Sequence, residues 1–235
     1  MLPNTLTHIA FDADDTLWGH EHVFVDAKQR CTDLLKAYLP DGEDLEQRLY
    51  TFEKKNLAIF GYGVKGFTLS MLETAIELSS GAITGEELQV IIDLGKEMID
   101  HPIELLPYVP EAIDRLGEQY QLLVITKGDL FDQENKIARS GLADKFGAIE
   151  IVSEKTPAAY RDVCRRNGID PGKLLMIGNS LRSDVYPVLE IGGHAAHLPY
   201  KFTWHHEAAV NPAAHGDSSY LQPKSLQQLV DTLLG

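Results

Sequence analysis

Hydrophobic and polar positions follow two different periods along the chain, and the change of period divides it into two parts. Residues 20–101 carry apolar side chains at the spacing of an α-helix, and Phe67, Met71, Ala75 and Leu78 form one of four such stripes. The pattern predicts a block of amphipathic helices in this part of the chain.

Short runs of apolar residues outside this block predict β-strands. They are residues 7–12, 122–125, 149–152, 174–177 and, more weakly, 195–198. Stretches with helical spacing, such as 130–140 and 157–167, separate the later runs. Fully apolar strands that alternate with helices are typical of a parallel sheet covered on both faces, and the first strand must join that sheet because it has no other partner. We therefore expect an α/β core from residues 1–17 and 105–235, with a helical cap of residues 18–104 inserted after the first strand.

The composition is typical of a cytoplasmic enzyme. The 235 residues are enough for one or two domains, no apolar stretch is long enough to span a membrane, and the N-terminus lacks the features of a signal peptide. The two cysteines, Cys31 and Cys164, lie too far apart to indicate a disulfide framework and cannot form a thiolate zinc site alone. The formal net charge of -14 argues against nucleic acid or an anionic membrane as a partner.

Polar side chains follow four of the predicted strands at the point where each strand stops. They are Asp12, Asp14 and Thr16 after the first strand, Thr126 and Lys127 after the second, Lys155 after the third, and Asn179 and Asp184 after the fourth. Ligands of open parallel sheets bind beyond the carboxyl ends of the strands. We therefore expect these side chains to converge in one site.

Each of these residue types has a use in phosphoryl transfer. A carboxylate can attack phosphorus to form an aspartyl-phosphate, while a second one protonates the leaving oxygen and then deprotonates water. Mg²⁺ prefers oxygen ligands and needs only one or two carboxylates, and it would relieve the repulsion between acids crowded at one strand end. A lysine and a hydroxyl can hold the oxygens of the transferring group.

The order of these motifs resembles the haloacid dehalogenase (HAD) superfamily of phosphohydrolases. The motifs are Asp12-Ala13-Asp14-Asp15-Thr16, Thr126, Lys155 and Gly178-Asn179-Ser180-Leu181-Arg182-Ser183-Asp184. The resemblance implies a Rossmann-like core with an α-helical cap of the family's first type. It also implies that Asp12 is the nucleophile, that Asp14 is the general acid and base, and that Lys155 steadies the nucleophile and the phosphoryl charge. Thr126 and the following amide would bind the substrate phosphate. Apart from the resemblance, the Lys127 side chain is a candidate for a phosphate contact, with a solvated loop lysine as an equal alternative.

The implied metal site departs from the family pattern at one position. Mg²⁺ would be held by Asp12, the backbone carbonyl of Asp14 and Asp184, but the fourth motif begins Gly178-Asn179 where the family usually has Gly-Asp. Asn179 still offers a carbonyl oxygen but removes one negative charge, which leaves open whether Asn179 or Asp184 contacts the metal directly. Asp14 favours a phosphatase over a dehalogenase, because an aspartyl-alkyl intermediate is hydrolysed without a leaving-group acid.

Several alternatives stay open from the sequence. A phosphomutase or a dehalogenase-like hydrolase fits the same scaffold. A phospho-acceptor signalling domain or a catalytically retired binding protein would carry similar strand ends without turnover, but the helical insertion disfavours the first and the intact motif residues disfavour the second. The expected partner is a small phosphorylated metabolite, with sugar phosphates, nucleoside monophosphates, flavin mononucleotide and phosphoglycolate all open, and the sequence predicts no particular oligomeric state.

Three weaker features lie outside these motifs, and the first two, in the predicted cap, are candidates for substrate selection. The loop Gly61–Gly66 is glycine-rich and contains an aromatic side chain and a cation, although a simple helix connection explains it as well. Asn56 falls on the apolar face of its helix, where a buried amide needs a partner. Trp204, His205 and His206 follow the last predicted strand, and we expect them in a loop near the mouth of the site.

Overall fold

One parallel β-sheet forms the centre of the α/β part of the molecule. The computed structural model describes residues 5–40, 44–201 and 219–235, and in these ranges the strands are paired in the order β3–β2–β1–β4–β5–β6. The strands are β1 (His8–Phe11), β2 (Gln121–Lys127), β3 (Ala148–Val152), β4 (Leu174–Gly178), β5 (His194–His197) and β6 (Tyr220–Leu221). All five predicted strands are confirmed, and β6, with only two residues, is too short to produce a hydrophobic pattern.

The helices follow the predicted alternation. They are α1 (Glu21–Leu35), α2 (Leu45–Phe60), α3 (Val64–Leu78), α4 (Gly85–Asp100), α5 (Val109–Gly117), α6 (Leu130–Arg139), α7 (Pro157–Asn167), α8 (Tyr186–Glu190) and α9 (Leu226–Leu234). The N-terminus of α7 is set by Thr156, whose hydroxyl accepts the N–H of Ala159, and by Pro157 in the first turn. A π-helical segment, Leu181–Val185, follows β4.

Strand β1 is buried on both faces from Ile9 onwards, which explains why Ile9, Ala10 and Phe11 are all apolar. Ile9 and Phe11 belong to one hydrophobic cluster and Ala10 belongs to another, as the alternation of side chains along a strand requires. The neighbours of β1 are β2 on one side and β4 on the other, and all three strands run parallel. The carboxyl ends of these three strands therefore lie side by side.

The chain divides into two compact units. One comprises Met1–Glu21, Ile103–Lys127 and Gln133–Gly235, and the other comprises His22–Pro102 and Gly128–Asp132. The second unit is helical and has its own core, which includes Leu35, Leu49, Met71, Ile91 and Leu94. No helix among the described residues is both long and apolar enough to cross a membrane. Cys31 and Cys164 are both free and buried.

Candidate active site

Asp12 is the first residue beyond β1, and neighbouring strands hold it in place. Its N–H donates to the carbonyl of Ile177 in β4 over 2.9 Å, so the backbone is still part of the sheet where the side chain leaves it. The side chain is largely buried, with 13% of its surface exposed. Burial raises the pKa of Asp12 to about 7, and the charges of Asp184 and Asp14 add to this effect while Lys155 opposes it.

Lys155 links the ends of three strands through two ion pairs. Its Nζ lies 2.6 Å from Oδ1 of Asp12 and 2.6 Å from Oδ1 of Asp184, and the lysine side chain is only 1% exposed. Burial alone would lower the pKa of Lys155, but the two carboxylates outweigh it and raise that pKa above its ordinary value. The lysine is therefore a fixed positive charge between two acids. Lys155 directly precedes Thr156, which is the N-cap residue of α7, and the helix itself begins at Pro157.

The Asp14 carboxylate accepts hydrogen bonds from a different set of donors than the Asp12 carboxylate does. Lys136 Nζ contacts Asp14 Oδ1 at 3.0 Å and Oδ2 at 2.8 Å, and the Trp18 indole N–H donates to Oδ1 over 2.8 Å. The amide of Gln133 donates to Oδ2 over 3.3 Å, and His20 Nε2 lies 3.2 Å from the Lys136 ammonium. Burial would raise the pKa of Asp14, but the charges of His20 and Lys136 and these donors together hold it below its ordinary value.

The end of β2 brings Thr126 into the same region. Thr126 is buried, and its Oγ1 lies 2.7 Å from Nε2 of Gln133, the same nitrogen that donates to Asp14. The adjacent Lys127 turns to the other side: its Nζ donates to Ser183 Oγ over 2.9 Å and lies 3.8 Å from a Glu154 oxygen. The Lys127 ammonium is thus engaged by protein groups, and the candidate contact with phosphate is an untested prediction.

The end of β4 positions Asp184 through a tight turn. Asp184 is fully buried, its Oδ2 accepts the N–H of Ser180 over 2.9 Å, and its own N–H donates to the Ser180 carbonyl over 2.8 Å. A Cβ at Gly178 would overlap the Asp184 carboxylate, so this position requires glycine for lack of space. The Asn179 Oδ1 faces Thr16 Oγ1 at 3.5 Å, and its backbone carbonyl accepts from His197 Nε2 over 2.9 Å.

The donors at these strand ends are chemically suited to Mg²⁺. They are the carboxylates of Asp12 and Asp184, the Asn179 amide oxygen and the backbone carbonyl of Asp14, all of which are hard oxygen ligands. Because Lys136 binds the carboxylate of Asp14, that residue would serve through its carbonyl alone. Within the described residues no three His, Cys, Asp or Glu side chains are gathered as a ligand set, and two acids are enough for Mg²⁺.

Trp18, His20, Gln133 and Lys136 are the site residues that the sequence did not reveal. Gln133 and Lys136 share a helix face with Ile137, and all three are buried. In the sequence, the available signal was that Gln133 and Lys136 are spaced as residues on the same helix face as the apolar Ile137. Their assignment still required the structure, because polar residues on a helix are ordinarily interpreted as solvent-exposed.

The weaker candidates have local explanations within the helical unit. The predicted loop Gly61–Gly66 is shorter in the structure: only Gly61–Gly63 separates α2 from α3, and the rest forms the first turn of α3. Gly63 has a φ of 121°, and Lys65 pairs with Asp129 at 2.8 Å. Asn56 is buried as predicted and donates to Ser70 Oγ and Glu73 Oε2. Trp204, His205 and His206 lie outside the described residues.

Comparison with known proteins agrees with this arrangement. The family model described as a haloacid dehalogenase-like hydrolase matches residues 6–187. A crystal structure of a haloacid dehalogenase-like family hydrolase from Xanthomonas campestris is 38% identical, with a TM-score of 0.86, and the match covers 99% of this chain and 93% of that one.

The curated relatives match over a shorter region. N-acylneuraminate-9-phosphatase from Mus musculus is 29% identical over 89 residues, which is 36% of each chain. The protein of the same name from Homo sapiens is 25% identical over 126 residues, which is 51% of each chain. The chain therefore matches about a third to a half of the length of these relatives.

Proposed function

Because the chain belongs to the haloacid dehalogenase-like hydrolase family, we propose that it is a phosphatase that hydrolyses a small phosphorylated metabolite in the cytoplasm. The observation that carries the proposal is the presence of two acids at the end of β1 in different environments. Asp12 is paired with Lys155, and Asp14 is held by donors from Trp18 and Lys136. Two carboxylates with different partners can take two separate roles, Asp12 as the nucleophile and Asp14 as the group that donates and accepts the proton.

The reaction begins with attack of an Asp12 oxygen on phosphorus. The Asp12 Oδ2 is the oxygen available for this, because Oδ1 is bonded to Lys155. An O–P bond forms to Asp12, the ester P–O bond breaks, and Asp14, which must enter this step protonated in the substrate complex, delivers its proton to the leaving alcohol oxygen. Water then attacks the aspartyl-phosphate and gives its proton to Asp14, the Asp12 O–P bond breaks, and inorganic phosphate leaves. Both acids end in their starting states.

Three further residues support these steps. Lys155 neutralises charge beside the nucleophile and is close to the oxygens of the transferring group in this proposal. Thr126 lies at the neighbouring strand end and supplies a hydroxyl and the following amide for the phosphate. Mg²⁺, when bound by Asp12, the Asp14 carbonyl and either Asn179 or Asp184, supplies positive charge to the phosphoryl oxygens.

We further propose that the helical unit serves as a cap that selects the substrate. The name of the curated relatives makes a sugar-acid phosphate the first substrate to test, since they are N-acylneuraminate-9-phosphatases. The shorter extent of that match is the reason to test a broad panel beside it. We include sugar phosphates, nucleoside monophosphates, flavin mononucleotide and phosphoglycolate.

The decisive experiment measures release of inorganic phosphate from this panel and from p-nitrophenyl phosphate, with Mg²⁺ and with EDTA. We expect Mg²⁺-dependent turnover of at least one ester and none by Asp12→Asn, with the folding of the variant checked by circular dichroism. A protein that releases halide from a 2-haloacid and no phosphate from any ester would be a dehalogenase. Uptake of phosphate without turnover would instead indicate a phospho-acceptor module. Conversion of one phosphate ester into its isomer would indicate a phosphomutase.

A further inference from the structure

One face of α6 carries buried polar groups where a buried helix face is ordinarily apolar. Gln133 and Lys136 lie three residues apart, so their side chains project from the same face, and they are only 1% and 3% exposed. Burying an amide and an ammonium costs free energy unless each finds partners. The arrangement therefore needs a reason, and the partners of both side chains identify it.

Both side chains donate to the carboxylate of Asp14. Lys136 Nζ contacts both oxygens at 3.0 and 2.8 Å, and Gln133 Nε2 contacts Oδ2 at 3.3 Å. Together with the Trp18 indole, which donates to Oδ1, they supply donors to each of the two oxygens. A carboxylate held from both sides cannot rotate freely about its Cβ–Cγ bond, so its orientation is fixed.

The same Gln133 nitrogen ties Asp14 to the end of β2. It lies 2.7 Å from Thr126 Oγ1 and 3.2 Å from the Lys127 carbonyl oxygen. The Asp14 carboxylate and the Lys127 carbonyl can only accept hydrogen bonds, so the NH₂ group of the amide must face them. One amide therefore fixes the spacing between the proposed proton donor and the proposed phosphate-binding hydroxyl.

This orientation of Gln133 leaves its other end unsatisfied. The Oε1 atom is buried and has no hydrogen-bond partner among the described residues. A buried acceptor without a hydrogen-bond donor destabilises the folded state. An apolar side chain of similar shape would avoid this penalty. The position is therefore better explained by what the donor end does than by stability.

We propose that Gln133 and Lys136 are positioning residues for proton transfer by Asp14, an inference that rests on the proposed phosphatase function. They hold the carboxylate at the distance and angle that protonation of the leaving oxygen needs, and proton transfer is sensitive to both. Neither side chain contacts the substrate in this proposal, and both act on the reaction through Asp14. Their effect on the reaction should therefore depend on how much protonation the leaving group requires.

Two aryl esters separate this role from a structural one. Phenyl phosphate and p-nitrophenyl phosphate differ by one nitro group, but phenolate is a much poorer leaving group and needs the proton more. We expect Lys136→Met to slow formation of the aspartyl-phosphate from phenyl phosphate about 100-fold and Gln133→Met about tenfold, against less than about threefold for both with p-nitrophenyl phosphate. Rapid acid quench under single-turnover conditions isolates this step. Lys136→Arg should recover part of the loss because it retains a cation.

The matched control is Lys145→Met, which removes an exposed lysine that pairs with Asp114. We expect no change with either ester. The second test repeats Gln133→Met in an Asp14→Asn background, where the loss seen with phenyl phosphate should disappear because the acid that Gln133 positions is gone. Melting temperatures of all variants report any loss of folding separately from the ester dependence.

The outcomes are distinct. Equal losses with both esters, or an undiminished effect of Gln133→Met in the Asp14→Asn background, would overturn the positioning role while leaving the phosphatase function in place. A wild-type protein that forms no aspartyl-phosphate from either ester would overturn the proposed function itself, and this inference with it.

Discussion

Asp12 and Asp14 are separated by a single residue and each pairs with a buried lysine, but their pKa values shift in opposite directions. The pKa of Asp12 is raised to about 7, mainly by burial, and a second carboxylate, Asp184, shares its lysine. The pKa of Asp14 is held below its ordinary value because Lys136, His20 and the Trp18 indole outweigh the effect of burial. Asp12 and Asp184 share one lysine, whereas Asp14 has a lysine of its own. This difference determines whether burial prevails and the pKa is raised, or the cations prevail and the pKa is lowered.

The comparison indicates how one strand end can support two chemical roles. Asp12 shares a positive charge with Asp184, so that region has more acids than cations and would be balanced by a bound metal ion. Asp14 has a lysine of its own and a further set of donors, so its region is electrostatically complete. The first region is suited to binding charge, and the second is suited to holding one group in a fixed orientation.

The largest effect should come from the Asp12 region, which has more acids than cations. Asp12→Asn removes the attacking oxygen, and we expect turnover to fall at least about 10,000-fold, as for other lost nucleophiles. Phosphate release from the best substrate of the panel measures this, with circular dichroism to verify folding. If the variant retained more than about a tenth of the wild-type rate, Asp12 could not be the nucleophile.

The complementary change at Asp14 should be smaller and should affect a different step. We expect Asp14→Asn to slow turnover about 100- to 1,000-fold, because general acid–base catalysis contributes in that range. With p-nitrophenyl phosphate the first step needs little protonation, so the aspartyl-phosphate should accumulate while its hydrolysis lacks a base. Acid-quench trapping detects it. Complete absence of the covalent species would show that the roles of the two acids are assigned incorrectly.

The sequence predicted the sheet well because its strands are buried on both faces. Ile9, Ala10 and Phe11 have no exposed surface, so the apolar run directly reflects the environment of β1. The end of such a strand is also where a parallel sheet binds ligands, so Asp12 and Asp14 could be identified from position alone. Strand β6 was missed because two residues do not form a period.

The partners of Asp14 could not be predicted, for a physical reason. Gln133 and Lys136 reach Asp14 only because α6 packs beside the end of β1, more than a hundred residues away along the chain. Local periodicity contains no information on such a contact, and the polar character of both residues suggests a solvated face. The ion pairs of Lys155 depend equally on packing, but there the motif order identified the residue in advance.

An intermediate effect is expected at the metal ligands of the Asp12 region. Asp184→Ala should raise the Mg²⁺ concentration for half-maximal activity about 30-fold or more, since Mg²⁺ binding is sensitive to the few carboxylates present. Asn179→Ala should have a smaller effect, and Asn179→Asp should tighten Mg²⁺ binding. Magnesium titrations of activity for the three variants measure this. Wild-type magnesium dependence in Asp184→Ala would exclude Asp184 as a ligand.

The same three variants have a second readout that does not depend on activity. Asn179→Asp adds an acid to a region that already has more acids than cations, so the metal-free protein should melt at a lower temperature than the wild type. Added Mg²⁺ should raise its melting temperature more than that of the wild type. Tighter binding without lower metal-free stability would show that Asn179 is too far from the acids for their charges to interact.

The smallest effect, on stability, tests the comparison most directly. The raised pKa of Asp12 means that its ionisation opposes folding. The penalty is therefore absent below the unfolded pKa near 4, grows as the pH rises, and is complete above about 7. The pKa of Asp14 is lowered, so its contribution stabilises the fold above the unfolded pKa and is lost as the pH falls below it.

At pH 8 in EDTA, Asp12→Asn should therefore melt a few degrees above the wild type. Asp14→Asn should be destabilised by about 2 to 4 kcal/mol, because it leaves the Lys136 ammonium without its carboxylate.

Lowering the pH to 4 should shrink the difference for Asp12→Asn, because wild-type Asp12 is then protonated and as neutral as asparagine. The difference for Asp14→Asn should persist at pH 4, because its lowered pKa keeps Asp14 ionised there. Asp162→Asn is the control, since that acid forms an exposed pair with Arg165 and should change stability by less than about 1 kcal/mol at either pH. Thermal melts at pH 4 and pH 8 measure all three variants. Equal shifts in the same direction for Asp12→Asn and Asp14→Asn at pH 8 would mean that the two regions do not differ electrostatically. The different roles of Asp12 and Asp14 would then depend only on the distances of these two residues to the substrate.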